Sequence, residues 1–346
     1  MKVFDINKAF KIMSGEFIRN DTSVFSIIRN EMYFVPAFLD HYRNLGYKQF
    51  VFLDDRSDDG TFEFLSNQKD CVLLRSEYRF GEPVIYNKTK KGISNRAGTL
   101  LKDIIPFKIF SGNFVTYVDA DEFILLPSEF KNISNFISFL KEKGVKAVHA
   151  SSIEFYPENL DGIHSKSNPI SFAEIIDGSP FFDNVQLIKF AESENRRNVG
   201  KIIGNSASDR LFAREAIKDI RLPWAHLPQF LLKMLPVRNA TTHVIKTPIL
   251  FRDETTRMQG SHYANIPATH KVSVALAHFV FTSNLPKKIN NSIKWKSHAR
   301  GATKYVSYSK LLESMKNDNS SFLGPHSERF TDVKQLERAK LIVGPG

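Results

Sequence analysis

Three acidic side chains interrupt an apolar stretch of the sequence, and their spacing suits the binding of a metal ion. The segment "FVTYVDADEFILLP" (114–127) places Asp119, Asp121 and Glu122 at the end of an apolar run. Mg²⁺ and Mn²⁺ prefer carboxylate oxygens as ligands, and they often keep open positions that a substrate diphosphate fills. A cation bound here could neutralise a phosphate leaving group. The alternative interpretation is an acidic loop that only caps the next element.

A second acidic group follows another apolar run, in "QFVFLDDRSDDGT" (49–61). Asp54 and Asp55 end that run, where their side chains could accept hydrogen bonds from a base or a ribose. The following Asp and Gly residues are turn formers. The spacing from Asp55 onward fits half of an EF-hand loop. However, Ser66 stands where that loop needs its final Glu, which excludes such a calcium site.

Several other chemistries find no support in the sequence. It contains no P-loop, no G-x-G-x-x-G, no G-x-S-x-G and no H-E-x-x-H. The single Cys71 lies in an apolar run, which favours a core position over a nucleophile. One cysteine also excludes an internal disulfide and a cysteine-based zinc site, and it fits a reducing compartment.

The order of the predicted elements indicates how these acids are positioned. Apolar, β-branched runs predict strands that alternate with helices, which is typical of an α/β fold with a mainly parallel sheet flanked by helices. Ligands of such sheets bind beyond the carboxyl ends of the strands. Both acidic groups follow strands, so we expect them to share one crevice. The predicted strands are 24–30, 49–55, 71–75, 114–121 and 145–155, and the predicted helices are 34–45, 61–68, 95–105, 133–144 and one or two basic helices within 284–312.

Positive charge is concentrated in one part of the chain. The net charge is +11, and the stretch from Thr255 to Leu312 contains nine Lys or Arg and four His but no Asp or Glu. A one-sided basic surface indicates an anionic partner, such as phosphates, lipid head groups or nucleic acid. A solvated face without a partner is the alternative. Nucleic acid is disfavoured because no recognised binding motif is present.

Three parts of the sequence together resemble bacterial family 2-type glycosyltransferases with the GT-A fold. The first is "IIRNEMYFVPAFLDHYRNLGYKQFVFLDDRSDDGT", and the second is "VDADEF". The third comprises "GSHY", "ALAHF" and "KSHARGATKYVSYSKL", which resemble the C-terminal region of one branch. The resemblance covers residues of about 24–65, 114–127 and 258–312, and no motif anchors 156–255.

The resemblance implies a GT-A-like, Rossmann-like nucleotide-sugar site at matching positions. Asn30 and Glu31 would lie near the nucleotide, as would Asp54 and Asp55. Asp119 would face the ribose and the diphosphate of the donor.

The resemblance also implies a bound Mn²⁺ or Mg²⁺. Asp121 would hold the metal, with Asp119 beside it. Many GT-A enzymes supply a further metal or diphosphate contact from their C-terminal part. Here His262 is the first choice for that contact and His278 is the second.

The implied reaction moves a sugar from a nucleotide-diphosphate donor to a hydroxyl of a glycan or lipid-linked acceptor, with inversion, in the synthesis of a bacterial surface polysaccharide. A carboxylate or a histidine would remove the acceptor proton. Glu154 is preferred for this role because it ends a predicted strand, and Asp161 and Asp209 are the alternatives. The side chains expected to contact the acceptor or a phosphate are Arg257, Lys294, Lys296 and Arg300.

The domain organisation follows from the same resemblance. Residues 1–255 would form the catalytic domain, and residues 256–346 a basic, mostly helical region that completes the site and contacts the acceptor or a membrane surface. No apolar run is long enough to span a bilayer and no signal peptide is recognised, so we expect a cytoplasmic protein, with the inner face of the membrane as a peripheral location. A nucleotidyltransferase, or a non-catalytic protein that binds anionic ligands on a decayed transferase fold, is the alternative.

Overall fold

Apolar runs separated by turn-forming residues fold into strands and helices in alternation, because each run buries one strand or one helix face. The computed structural model describes residues 2–86, 94–164, 168–190, 200–217, 244–259, 262–266, 268–295 and 302–345. Its strands are β1 (Lys2–Val3), β2 (Lys11–Ser14), β3 (Ser23–Ile28), β4 (Gln49–Asp54), β5 (Cys71–Arg75), β6 (Pro83–Ile85), β7 (Ser94–Arg96), β8 (Phe114–Tyr117), β9 (Glu122–Leu125), β10 (Ala147–Tyr156), β11 (Phe181–Asp183), β12 (Ile188–Phe190), β13 (Gly200–Ile202), β14 (Ile245–Phe251), β15 (Met258–Gln259), β16 (Tyr263–Ala264), β17 (Thr269–His278) and β18 (Ser327–Arg329).

Helices lie between many of these strands. Among the described residues, none of the helices combines the length and the apolar character that crossing a membrane requires. A short 3₁₀ helix spans Ile6–Lys8. The α-helices are α1 (Val35–Asn44), α2 (Thr61–Ser66), α3 (Ala97–Phe110), α4 (Ile133–Glu142), α5 (Asp161–His164), α6 (Phe172–Gly178), α7 (Ala207–Arg214), α8 (Leu285–Trp295), α9 (Thr303–Asp318) and α10 (Val333–Arg338).

The large central sheet has a parallel centre and antiparallel flanks. Its main path runs β18-β11-β10-β14-β8-β3-β4-β5-β2, and β17 pairs with β10 and β9 beside this path. Strands β8, β3, β4 and β5 pair in parallel, as do β10 and β17, while the other neighbours are antiparallel. The predicted α/β class is therefore confirmed, and the parallel arrangement holds for the strands that carry the acidic groups.

The bounds of the predicted strands agree well where the apolar run is unbroken. Strands β3, β4, β5 and β10 lie within two residues of their predicted limits. Cys71 begins β5 and is a buried thiol, as expected for a core position. The strand predicted at 114–121 is shorter, because the chain turns after Tyr117 and resumes as β9. Asp119 and Asp121 therefore lie in the turn between β8 and β9, and Glu122 is the first residue of β9.

Two apolar clusters of the core lie on the two faces of the parallel strands, and a third contains residues of β10, α7, α8 and α9. Successive side chains of a strand point to opposite faces. In β3, Val24 belongs to the same cluster as Phe38 of α1 and Phe136 of α4, whereas Phe25 belongs to the cluster that contains Leu101 of α3. Helices thus cover both faces of the parallel strands, and they leave the carboxyl edge of the sheet to the loops.

Strand β17 brings the C-terminal part of the chain into this sheet. It lies between β10 and β9, where His278 pairs in register with both Glu154 and Glu122. The apolar run at 272–281 is thus mainly a buried strand. The sheet therefore contains strands from both sides of residue 255, where the sequence predicts a domain boundary.

Candidate functional site

The acidic groups converge at the carboxyl edge of the parallel strands. Parallel pairing of β8, β3 and β4 places their carboxyl ends at one edge of the sheet. Lys288 of helix α8 connects two of the loops that follow these strands, because it donates a hydrogen bond to Asp121 after β8 and lies 3.2 Å from Glu31 after β3. We call this edge of the sheet, with its loops, the crevice.

Asp119 lies between two lysines that the sequence pattern did not single out. Its Oδ2 accepts a hydrogen bond from Lys246 Nζ at 3.0 Å, and its Oδ1 lies 3.6 Å from Lys102 Nζ. The hydroxyl of Tyr117 donates to the same Oδ1 at 2.9 Å. Desolvation in the crevice opposes charge on this carboxylate, but the two ammonium groups outweigh it and hold the pKa of Asp119 well below its usual value. With 39% of its side chain exposed, Asp119 still faces the crevice.

Asp121 contacts a third lysine and a histidine. Its Oδ2 accepts from Lys288 Nζ at 2.9 Å and lies 3.8 Å from His278 Nε2. Burial lowers the pKa of His278 against the opposing effect of Asp121, so the imidazole is neutral and can offer a lone pair. The carbonyl of Asp121 accepts from Phe279 N at 2.9 Å, which fixes the end of β17 beside the turn.

Glu122 differs from the two aspartates because its side chain is completely buried. It forms an ion pair with Lys246, and its Oε2 accepts from Asp119 N at 3.0 Å. Burial raises the pKa of Glu122 to about 7, although Lys246 acts in the opposite direction. The third acid therefore holds the turn that presents the first two.

The loops after β3 and β4 interlock through their polar side chains. The side-chain amide of Asn30 donates to Asp58 Oδ1 at 2.6 Å and accepts from Asp58 N at 2.8 Å. Asn30 N donates to Ser57 Oγ at 2.9 Å, and Glu31 N donates to Thr61 Oγ1 at 3.1 Å. Asn30 has a φ of 57°, a left-handed conformation that asparagine tolerates better than most residues. Asn30 thus fixes the shape of the crevice wall.

Asp54 and Asp55 are both held by arginines. Asp54 has no exposed side-chain surface, and its carboxylate accepts from Arg75 Nη2 at 2.8 Å and from Ser57 N at 3.0 Å. Asp55 pairs with Arg79 Nε at 2.8 Å. Burial raises the pKa of Asp55, and Arg79 opposes that shift. A ligand could reach Asp54 only if its bond to Arg75 opened.

Two of the three candidate bases lie at the N-terminal end of α7. Glu154 accepts from Ser208 N at 2.6 Å and from Ser208 Oγ at 2.8 Å. Asp209 accepts from Ser206 Oγ at 3.1 Å and is buried in the first turn of the helix. Asp161 is exposed at the start of α5. Strand pairing links Glu154 to the acidic turn, because it pairs in register with His278, which in turn pairs with Glu122.

The other side chains predicted to contact the metal, the acceptor or a phosphate lie in different parts of the chain. The carbonyl of His262 accepts from Thr247 N at 2.8 Å, one residue from Lys246. Arg257 donates to the carbonyls of Asp253 and Thr256 and stacks on the ring of Phe107 at 4.1 Å, so it stabilises its own loop. Lys294 is exposed in the last turn of α8. Two predicted contacts lie outside the described residues, namely Lys296 and Arg300.

Sequence reasoning missed Lys102 and Lys246 and gave Lys288 no specific role. Lys102 interrupts the apolar helix "GTLLKDIIPF", and Lys246 interrupts the apolar strand "VIKTPILF". Lysines are almost never fully buried without a partner. A single lysine inside an apolar run is therefore the signal that could have found both.

Two side chains at the turn carry atoms of the kind that bind divalent cations. Asp121 Oδ2 lies 3.8 Å from His278 Nε2, and carboxylate oxygen and imidazole nitrogen are both ligands of Mn²⁺. A cation bound to Asp121 Oδ2 would replace the ammonium of Lys288 on that atom. Within the described ranges, no group of three or more His, Cys, Asp or Glu side chains is arranged as a ready-made metal site.

Comparison with known proteins gives no indication of the function. No family model matches this chain, and no curated protein matches it either.

Proposed function

We propose that the protein is a metal-dependent glycosyltransferase with a GT-A-type site, which moves a sugar from a nucleotide-diphosphate donor to a hydroxyl of a glycan or lipid-linked acceptor, with inversion. One observation carries this proposal. Asp119 and Asp121 lie at the carboxyl edge of parallel strands, and buried lysines and a neutral histidine surround them. This arrangement combines ligands for a divalent cation with positive charge for phosphates.

Different side chains would have different roles in the reaction. Asp121 and His278 would hold Mn²⁺ or Mg²⁺, with Asp119 at the edge of that site. The cation, when bound, neutralises charge that develops on the departing diphosphate. Lys102 and Lys246 keep Asp119 ionised, and Glu122 keeps the turn in place. The interlocked loops at Asn30 would form the wall against which the nucleotide lies.

The acceptor must lose a proton, and Glu154 is the candidate that the geometry supports best. It pairs in register with His278, whose Nε2 lies 3.8 Å from Asp121 Oδ2, and this pairing supports Glu154 over the other two candidate bases. Both of its oxygens accept hydrogen bonds from Ser208. Glu154 would therefore exchange one of these bonds for the acceptor hydroxyl.

The basic C-terminal region supports an anionic acceptor and a peripheral position at the inner face of a membrane. Lys294 is exposed and available to an anionic glycan or lipid phosphate. A basic residue near an anionic surface contributes about 1 kcal/mol to binding.

The test begins with thermal shifts in the presence of Mn²⁺ and UDP, GDP or CMP, followed by a screen of nucleotide sugars for metal-dependent hydrolysis. We expect one nucleotide to raise the melting temperature of the wild type. The matched nucleotide sugar should release its nucleoside diphosphate. Formation of pyrophosphate from a nucleoside triphosphate and a sugar phosphate, without release of nucleoside diphosphate from any nucleotide sugar, would instead indicate a nucleotidyltransferase. The absence of any nucleotide effect would reject the proposal.

The variant Asp121→Ala tests the metal position directly. It should abolish turnover and the Mn²⁺-dependent thermal shift, while its circular dichroism spectrum stays that of the wild type. Glu142→Ala is the matched control, since Glu142 is a largely exposed acid at the end of α4. Full activity in Asp121→Ala would contradict the assignment of Asp121 to the metal.

A further inference from the structure

Lys288 joins two carboxylates that come from different loops of the crevice. Its Nζ lies 2.9 Å from Asp121 Oδ2 and 3.2 Å from Glu31 Oε2, and 4.8 Å from the centre of the Phe34 ring. The side chain is 19% exposed, so it is only partly buried. Helix α8 thus delivers a cation to the middle of the candidate site.

Lys288 differs from the other two lysines of the site. Lys246 bonds Asp119 and the fully buried Glu122, and its side chain is only 8% exposed. Lys102 is 5% exposed and faces the rings of Phe80 and Tyr117. These two lysines are therefore almost completely buried, whereas the side chain of Lys288 keeps 19% of its surface exposed.

The stability of the fold gives no sufficient reason for this arrangement. Burying an ion pair costs several kcal/mol in desolvation, and apolar residues of similar volume often serve stability equally well. A lysine placed between two carboxylates at the carboxyl edge of the sheet therefore calls for a functional explanation. Anionic groups of a ligand bind at that edge in open α/β sheets.

We propose that Lys288 is a diphosphate-binding residue that donates hydrogen bonds to phosphate oxygens of the donor. This inference rests on the proposed function. Lys288 and a divalent cation compete for the same Oδ2 of Asp121, because that atom already accepts from Lys288 at 2.9 Å. A cation on that atom would displace the ammonium from Asp121 and leave it free to donate to the phosphates. Helix α8 then belongs to the donor site and not only to an acceptor surface.

The neighbouring lysine of the same helix supplies the control. Lys287 is 57% exposed, and its Nζ lies 3.8 Å from Asp59. Lys287→Ala removes the same charge from the same helix without touching Asp121 or Glu31. It therefore separates a contact at the phosphates from a general loss of positive charge.

The experiment measures binding by isothermal titration calorimetry in the presence of Mn²⁺. The probes are inorganic pyrophosphate, the diphosphates UDP, GDP and CDP, and the corresponding nucleosides. We expect Lys288→Ala to weaken binding of pyrophosphate and of the preferred nucleoside diphosphate by about tenfold or more, as the loss of a charged hydrogen bond predicts. Nucleoside binding should be unchanged in this variant, and Lys287→Ala should bind all probes within about twofold of the wild type.

Two further measurements complete the test. Binding of Mn²⁺ alone should be as tight in Lys288→Ala as in the wild type, or tighter, because a competitor for Asp121 is gone. Lys288→Arg should restore most of the affinity for pyrophosphate. If Lys288→Ala does not fold, Lys288→Gln is measured in the same way.

The possible failures are distinguishable. If the wild type binds neither pyrophosphate nor any nucleoside diphosphate, the proposed function fails with this inference. If the wild type binds them and Lys288→Ala binds equally well, only the role of Lys288 is wrong. A lower melting temperature with unchanged affinities would show that Lys288 merely anchors α8.

Discussion

At the scale of single residues, each carboxylate of the acidic turn has a specific cationic partner. Lys246 follows Asp119 by 127 residues, and Lys288 follows Asp121 by 167 residues. Asp-X-Asp could be found in the sequence because its members are adjacent. The lysines could not be assigned to it, since their partners are defined only by the folded sheet. The same holds for Asp54, whose bond to Arg75 spans 21 residues.

Loss of Lys246 should destabilise the protein strongly, because it would leave the fully buried Glu122 without its cation. Lys246→Met is expected to lower the free energy of unfolding by about 3–5 kcal/mol. The double variant Lys246→Met/Glu122→Gln should recover part of this loss, because it removes the stranded charge. Urea denaturation of both variants at pH 7 measures the effect.

Lys141→Met provides the control for the Lys246 variants. Its pair with Asp21 is half-exposed, so we expect a change within about 1 kcal/mol. An equally small change in Lys246→Met would contradict the role given to the buried pair.

His41 should make the stability of the fold sensitive to acid. Burial lowers the pKa of His41 to about 4, against the opposing effect of its hydrogen bond to the Ile124 carbonyl at 2.8 Å. The unfolded chain takes up a proton near its ordinary pKa and the folded protein does not. This contribution to stability is therefore lost as the pH falls from about 6.5 to 4, by about 2 kcal/mol between pH 7 and pH 5.

Comparing His41→Phe with the wild type isolates this contribution. Although the variant loses the bond to Ile124, its free energy of unfolding should fall by about 2 kcal/mol less than that of the wild type between pH 7 and pH 5. The exposed His164→Phe serves as control and should keep the wild-type dependence. Parallel curves for His41→Phe and the wild type would show that His41 does not titrate as inferred.

At the scale of elements, the sequence predicts the helices and strands that arise from a local pattern of apolar and turn-forming residues. Strands β4 and β5 follow from unbroken apolar runs. Helix α1 follows from the helical spacing of its apolar residues and from Gly46, which ends the helix and has a φ of 88°. The insertion of β17 between β10 and β9 could not be predicted, because strand order depends on long-range pairing. The stretch around β14 was also missed, since a lysine interrupts its apolar run.

Helix α3 approaches the loop at Phe80 so closely that Gly98 leaves no room for a side chain. A Cβ at residue 98 would lie 2.3 Å from the Phe80 ring and 2.7 Å from its carbonyl oxygen. Gly98→Ala should therefore push this loop away from α3 and lower the free energy of unfolding by about 1–3 kcal/mol, measured by urea denaturation.

Gly178→Ala is the matched control for Gly98→Ala. Residue 178 ends α6, and a methyl group added there would meet no other atom within 4 Å, so the change should stay within about 0.5 kcal/mol. Equal effects of the two substitutions would show that the contact with Phe80 is not tight.

At the scale of the whole molecule, the sheet depends on both halves of the chain. Strand β17 pairs with β10 over seven residue pairs and with β9 over four. Part of the basic region also contacts the acids, as Lys288 shows, so its positive charge is not entirely left for outside partners. The site and the core are therefore completed by the same C-terminal segment.

A chain of residues 1–255 should not unfold cooperatively, because β10 and β9 would each lose their shared neighbour. Circular dichroism during urea denaturation should show a broad, early transition. The control is the full-length chain cleaved at an inserted protease site after the exposed Glu254, which keeps β17 and should retain a sharp transition. A fragment 1–255 with the midpoint of the full chain would show that it is an independent domain.

The buried Cys71 has a practical consequence. It is the only thiol of the chain, it lies in β5 between β4 and β2, and burial raises its pKa, with the negative charge of Asp70 adding to the shift. Thiol reagents need the thiolate and access to it, so they can attack only when this side of the sheet opens. The rate at which Cys71 is alkylated under native conditions therefore measures how often this side of the sheet opens, and the measurement needs no added label.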